Sequence, residues 1–153
     1  MFRFDEESLS EKKIQNLYQI HPYLIEKEFL NQKTIPQYCL PSGFADIVIF
    51  IEKEIVVIEL KVETLDSTHL LQLNGYLEDM QSLFKDAKKI RGILIGRNPI
   101  KDLWSLKENF SFEIKILVLD SNIPTKVKIC NYCRLANDIK NNSCVYCNGD
   151  SFL

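Results

Sequence analysis

The stretch Gly43–Glu63, GFADIVIFIEKEIVVIELKVE, decides the fold of this chain. It reads as two β-branched runs, Ala45–Ile51 and Glu54–Val62, separated by Glu52-Lys53. Alternate residues of a strand share a face, so Val56, Ile58, Leu60 and Val62 form a wholly apolar face that must pack under a helix. Ile55, Val57, Glu59 and Lys61 form the other face, which ends in two charges roughly 7 Å apart. A two-residue loop at Glu52-Lys53 pairs Ile51 with Glu54, Ile49 with Val56 and Asp46 with Glu59, and a four-residue loop with the same centre keeps that register. Opposed residues hold their Cβ atoms about 5 Å apart on one side, so the two carboxylates would converge. Such a pair repels unless a cation lies between, and hard oxygen donors suit Mg²⁺ or Mn²⁺. Lys61, next on that face, is placed to orient or deprotonate an attacking water and to offset phosphate charge. Glu-Lys lacks the glycine of tight hairpins. A three-residue loop would put the two acids on opposite faces, as strand-end charges reaching solvent.

Outward from the hairpin, SLSEKKIQNLYQI has a start signal at Ser8 or Ser10 and apolar Ile14, Leu17 and Tyr18 at helical spacing. HPYLIEKEFLNQKTIPQYCLPSG is broken by Pro22, Pro36 and Pro41 and reads as irregular or short-stranded. After the hairpin, a helix capped at Asp66 or Ser67 carries Leu70, Leu73, Leu77, Met80 and Phe84 on one stripe. IRGILIGR reads as a strand, IKDLWSLKEN as a helix with Leu103, Trp104 and Leu106 in the core, and FEIKILVLD as a strand. The order αββαβαβ plus a tail indicates an α/β domain. KDAKKIRG reads as a polar helix end or part of a nucleic-acid track, and His21 as a loop residue.

The chain has 153 residues, enough for one sizeable domain with a small appendage. No apolar run approaches the roughly 20 residues that span a bilayer, and the polar N-terminus has no signal-peptide core, so a cytoplasmic protein is expected. The net charge of −2 argues against nonspecific coating of nucleic acid but not against an enzyme acting on it. Residues 121–153 hold Lys126, Lys128, Arg134 and Lys140 against Asp138 and Asp150, a balance of +2, which leaves −4 elsewhere.

Four of the five cysteines form Cys130-x-x-Cys133 and Cys144-x-x-Cys147, and in a reducing compartment that arrangement reads as a metal site. Two such knuckles supply a tetrahedron of thiolates, which suits a structural Zn²⁺; an iron–sulfur cluster and unligated thiols or disulfides are the other readings. The basic segment around Tyr132 and Tyr146 would lie on a phosphate backbone, contact a protein, or act as a cap. Cys39 reads as an ordinary buried or half-buried thiol.

GFADIVIF…EIVVIELKVETLDSTHLLQLNGYL resembles the PD-(D/E)XK nuclease superfamily, with its NucS/EndoMS-type and RecB-like branches the nearest in look. The pattern is an acid at the start of one strand, E-x-K near the end of the next, then a helix with a Gln: Asp46, Glu59-Leu60-Lys61 and Gln72. Gln72 to Tyr76 also looks like the Q-x-x-x-Y element of RecB-like nucleases, and the two share a helical face, with His69 nearby. The plainer reading of Gln72 and Tyr76 is a polar edge on an amphipathic helix. The resemblance implies that Asp46, Glu59 and the Leu60 carbonyl bind the catalytic metal and that Lys61 assists the water. It implies a further acid from the first helix, for which Glu11 is the candidate and Glu7, Glu26 and Glu28 are competitors. Ala45 stands where the family name has proline.

The expected architecture is therefore a restriction-endonuclease-like α/β core, a central mixed sheet flanked by helices over residues 1–123, with a zinc ribbon at 127–153. The expected function is a Mg²⁺-dependent DNA endonuclease in repair, recombination or defence, acting on single-stranded, branched or mismatched DNA. The alternatives are a non-catalytic nucleic-acid-binding or adaptor protein working through the ribbon, and a nuclease subunit active only with a protein partner. A homodimer is left open.

Overall fold

The computed structural model describes the backbone of residues 2–153 and the side chains of residues 11–153. Helix α1 spans Phe2–Ile20, so it begins before the expected Ser8 or Ser10. Two single 3-10 turns, Pro22–Leu24 and Lys27–Phe29, lead into strand β1 (Thr34–Leu40). The hairpin follows as β2 (Gly43–Ile51) and β3 (Glu54–Thr64), then α2 (Ser67–Leu83), β4 (Lys89–Arg97), α3 (Leu103–Leu106) and β5 (Glu113–Val118). The sheet order is β1-β2-β3-β4-β5. β1, β2 and β3 pair antiparallel, whereas β3, β4 and β5 pair parallel. The expected mixed sheet with flanking helices is present.

Two differences from the expected order have local causes. β1 is a seven-residue strand in the segment read as broken by proline. Proline removes a ladder donor, and Pro36 is tolerated because β1 lies at the sheet edge. The helix expected over IKDLWSLKEN shrinks to one turn plus a 3-10 turn, and Trp104 is exposed while Leu103 is buried.

Each sheet face has its own core. Val57, Ile55, Val48 and Ala45 pack beneath Leu70, Leu73, Leu77 and Met80 of α2. Val56, Ile58, Leu60, Ile47 and Ile49 pack against Ile14 and Tyr18 of α1. The apolar face expected of β3 thus lies under α1. Arg91, expected at a polar helix end, is instead buried in β4. Its guanidinium donates to both oxygens of Glu26, at 2.8 and 3.0 Å, to Glu28 at 2.9 Å and to Glu54. A buried arginine with this many carboxylate partners ties β3 and β4 to the segment after α1, because removing it would strand the acids.

Beyond β5, the tail forms a two-stranded hairpin of β6 (Val127–Ile129) and β7 (Ala136–Asp138). It is fixed to the region around α1 by two tyrosines. Tyr18 donates its hydroxyl to the Pro124 carbonyl, and the Tyr23 hydroxyl accepts from the buried Ala136 amide at 2.8 Å. Tyr23 also meets Tyr146 edge-on, with ring centroids 5.3 Å apart. No helix among the described residues is long and apolar enough to cross a membrane.

Candidate metal centre and four-cysteine cluster

The β2–β3 ladder runs from Ile51↔Glu54 to Ile47↔Ile58, the register of a two-residue loop at Glu52-Lys53. Glu52 supplies the left-handed conformation that such a turn needs, with φ +53°, although it is not glycine. Beyond Ile47 the two acids bond across the strands to backbone amides. The Asp46 amide donates to Glu59 Oε1 at 2.9 Å, and the Leu60 amide donates to Asp46 Oδ2 at 2.8 Å. Asp46 and Glu59 are therefore adjacent at the end of the paired hairpin.

Two backbone irregularities frame this point. Ala45 and Val48 both belong to the α2-side core, whereas Ile47 and Ile49 belong to the α1-side core. Strict alternation cannot do this, so the side-chain alternation of β2 changes at Asp46 although its pairing with β1 keeps one register throughout. Opposite lies Gln37, with φ +49° in the middle of β1. On the other side, the β3–β4 register shifts between Leu60 and Thr64, where Lys61 sits. Bulges of this kind re-aim side chains at the rims of sheets. Gly96 allows the second one: a Cβ there would lie 2.8 Å from the Lys61 carbonyl oxygen and 2.5 Å from Leu65 Cδ2.

The surrounding side chains complete a polar, partly buried site. Lys61 Nζ lies 3.8 Å from Glu59 Oε2. Gln37 Nε2 lies 3.4 Å from Asp46 Oδ1 and from Gln15 Oε1, and Gln15 Nε2 lies 3.4 Å from the Asp46 carbonyl. Glu11, Gln15, Gln37 and Asp46 line one open groove of about 530 Å³ between α1 and the β1–β2 edge. Glu11 thus joins the site, whereas Glu26 and Glu28 are engaged by Arg91. Glu7 lies outside the described side chains.

Burial raises the carboxyl of Asp46 above its usual range, opposed by the Leu60 amide and Lys61. Burial, reinforced by the charge of Asp46, pushes Glu59 up to about 8. Glu11 is also raised by burial, with Lys61 opposing. Three acids that resist ionisation, around one lysine, form a donor set that a hard divalent cation would relieve.

Gln72 donates to the Tyr76 hydroxyl at 3.2 Å, the i,i+4 contact expected on one helix face. Tyr76 is buried, and burial together with the charge of Glu59 raises its hydroxyl above the usual range. Gln72 has no hydrogen bond to Asp46 or Glu59. His69 completes a capping box with the Asp66 N-cap, and its Nε2 lies 3.0 Å from Glu63 in the bulged end of β3. Gln15 was missed, although it lies four residues on from Glu11 along α1 and so shares its face. Gln37 and the His69–Glu63 contact gave no sequence signal.

In the tail, the sulfurs of Cys130, Cys133, Cys144 and Cys147 all lie within 4.8 Å of one another, compatible with a zinc site. Among the described residues, Glu11, Asp46 and Glu59 do not close into a comparable cluster. The Asn137 amide and the Tyr146 backbone N–H donate to Cys144 Sγ at 3.3 and 3.4 Å, the outer support that thiolate ligands require. Cys39, expected to be at least half buried, is exposed on the edge strand.

Residues 10–131 match the family described as the endonuclease NucS C-terminal domain. Two solved structures share the fold with a TM-score of 0.58 and 24% identity over 71% of this chain. One is described as an EndoMS–dsDNA complex and the other as a repair endonuclease from Pyrococcus abyssi. The matches cover 44% and 46% of those proteins, so the chain spans less than half the length of either. No curated protein matches the chain. With most of its length, including the carboxylate hairpin and the Gln72–Tyr76 helix, inside the matched region, the chain belongs to the NucS C-terminal-domain family.

Proposed function

We propose that this chain is a metal-dependent DNA endonuclease of the PD-(D/E)XK type, with residues 1–123 as the nuclease-like domain and 127–153 as a zinc ribbon. The observation that carries this reading is the joining of Asp46 and Glu59 at the end of the β2–β3 ladder, with Lys61 3.8 Å from Glu59. Family membership and likeness to two endonucleases support it.

In this reading Asp46, Glu59 and the Leu60 carbonyl would hold Mg²⁺ or Mn²⁺, and Glu11 is the further acid at the groove. The ion, when bound, lowers the pKa of water and neutralises phosphate charge. Lys61 orients the attacking water and offsets charge on the scissile phosphate. Gln37 and Gln15 hold the Asp46 side chain and backbone in place. Tyr76, fixed by Gln72, closes the α2 side near Glu59. The four cysteines would hold structural Zn²⁺ away from the reaction.

A second reading, a subunit that cuts only with a partner, is supported by charge. Outside the tail the chain carries −4, a poor surface for gripping a polyanion alone. The test is cleavage of single-stranded, duplex, mismatched and branched DNA across a Mg²⁺ and Mn²⁺ titration. Wild type is expected to cut at least one substrate, and Lys61→Ala and Glu59→Gln to slow it by roughly 10²-fold or more. Equal cutting by wild type and Lys61→Ala would overturn the assignment.

A further inference from the structure

We infer that the cysteine tail is a nucleic-acid-binding surface, with Tyr132 as a base-stacking platform and Lys126, Arg134 and Lys140 as backbone contacts. This goes beyond the carboxylate site and adds a second contact to the nuclease reading, on which the choice of nucleic acid as occupant rests.

The first observation is electrostatic. Among the described residues, Lys126, Lys128, Arg134 and Lys140 form no ion pair, as is also true of body lysines such as Lys85, Lys88 and Lys101; what sets the tail apart is its balance of +2 against −4 elsewhere. Lys126, Arg134 and Lys140 are exposed, and Lys128 lies over the Phe152 ring at 4.1 Å. A tail of +2 on a body of −4 presents the more basic part of the chain to a polyanion.

The second is the state of Tyr132. It is 64% exposed, yet its ring lies against Gly149 at the other cysteine knuckle. A Cβ at Gly149 would sit 2.3 Å from Tyr132 Cδ2, so only glycine permits this contact. The ring is therefore held between two metal-binding knuckles with much of its surface in solvent. An aromatic fixed in this way has little entropy left to lose on stacking with a base. Arg134, two residues along in the same knuckle, takes φ +65° and is exposed.

The third is placement. The tail is tied to Tyr18 of α1, and Glu11 on the same helix lines the carboxylate groove. Glu11 and Tyr18 are seven helical steps apart, a rise of about 10 Å. The segment that leads into the tail is thus anchored on the same helix that lines the groove.

The test is fluorescence anisotropy with labelled single-stranded and duplex DNA in Ca²⁺ buffer over a series of salt concentrations, using the full chain with its metal content measured. The triple variant Lys126→Ala, Arg134→Ala, Lys140→Ala is expected to bind at least tenfold more weakly and to lower the log–log salt slope by roughly 2. Tyr132→Ala is expected to weaken single-strand binding about five- to hundredfold with the salt slope unchanged. A control triple, Lys85→Ala, Lys88→Ala, Lys101→Ala, removes equal exposed charge and is expected to change affinity less than threefold. The inference fails if the tail variants retain their metal and bind as wild type, or if the control weakens binding equally. It fails too if the tail variants abolish self-association or capture of a protein while DNA binding is intact. Because binding is read without cleavage, loss of this inference leaves the Lys61→Ala cleavage result standing, and the reverse also holds.

Discussion

Glu59 is held where its charge is most costly. Burial, then the neighbouring Asp46 charge, raises its carboxyl to about 8. The folded state thus binds this proton more tightly than the unfolded chain, in which a glutamate titrates near 4.3. Its contribution to stability is fully present below that value and is lost as pH rises through about 8. Glu59→Gln removes the titrating group while keeping an acceptor for the Asp46 amide. In Mg²⁺-free buffer the variant is expected to match wild type near pH 5 and to exceed it by about 2–4 kcal/mol near pH 9. Added Mg²⁺ should raise the melting temperature of wild type at high pH and leave the variant nearly unmoved. Thermal melts across pH check both statements, and parallel curves for the two proteins would sink the account. The pairing of Asp46 with Glu59 was legible because period-two alternation and a short loop fix the register. The change of alternation at Asp46 was not, and Gln37, whose positive φ lies opposite it, is in another strand. Arg91 was misread for the same reason, as its partners lie 37 to 65 residues away in sequence.

At the scale of elements, the end of β3 does the positioning. Its register with β4 shifts between Leu60 and Thr64, just where Lys61 reaches Glu59, and the His69–Glu63 contact ties the shifted segment to the start of α2. Gly96 of β4 supplies the space for it. Gly96→Ala drives a methyl group against the Lys61 carbonyl and Leu65, and neither can yield cheaply because one is backbone and the other is fully buried. The variant is expected to lose about 1–3 kcal/mol by overpacking. If the carboxylate site is catalytic, it should also lose at least tenfold in cleavage rate while folded. Gly75→Ala is the contrast. It lies on α2, and its new methyl meets only Ser42, at 3.7 Å from the hydroxyl. There the helix should gain up to about 1 kcal/mol from the better helix former. Urea denaturation of both variants, with rates measured well below each midpoint, separates folding from positioning. Equal stability of Gly96→Ala and wild type would show that the bulge is not supported there. The sequence reading left β1 as irregular or short-stranded and out of the element order, because Pro36 and Pro41 look like breakers until the strand is known to be an edge.

At the scale of the whole molecule, the sheet and the cysteine tail differ in how much apolar surface they bury. The two apolar clusters of the sheet end at Ile123 and include no residue of the tail. The tail buries Cys130, Ala136, Asn137 and Cys144, two of them metal-ligand candidates, and has two strands of three residues each. That is too little apolar surface to order about 27 residues, and a metal held by the four cysteines would supply the difference. Removing it with a strong chelator is expected to collapse amide protection across 127–153 while β2, β3 and β4 stay protected. The melting of the sheet should shift by only a few degrees, since what it loses is the Tyr23 hydroxyl's partner at Ala136 and the edge contact with Tyr146. Hydrogen exchange read by mass spectrometry resolves the two regions. Restoring Zn²⁺ should restore the tail's protection, and Cys144→Ser should reproduce the chelated pattern without chelator, because Cys144 is buried and accepts from both Asn137 and Tyr146. Protection of the tail that survives metal removal would mean that the Tyr18 and Tyr23 contacts suffice to fold it. Loss of protection throughout the sheet would mean instead that the tail is part of the core.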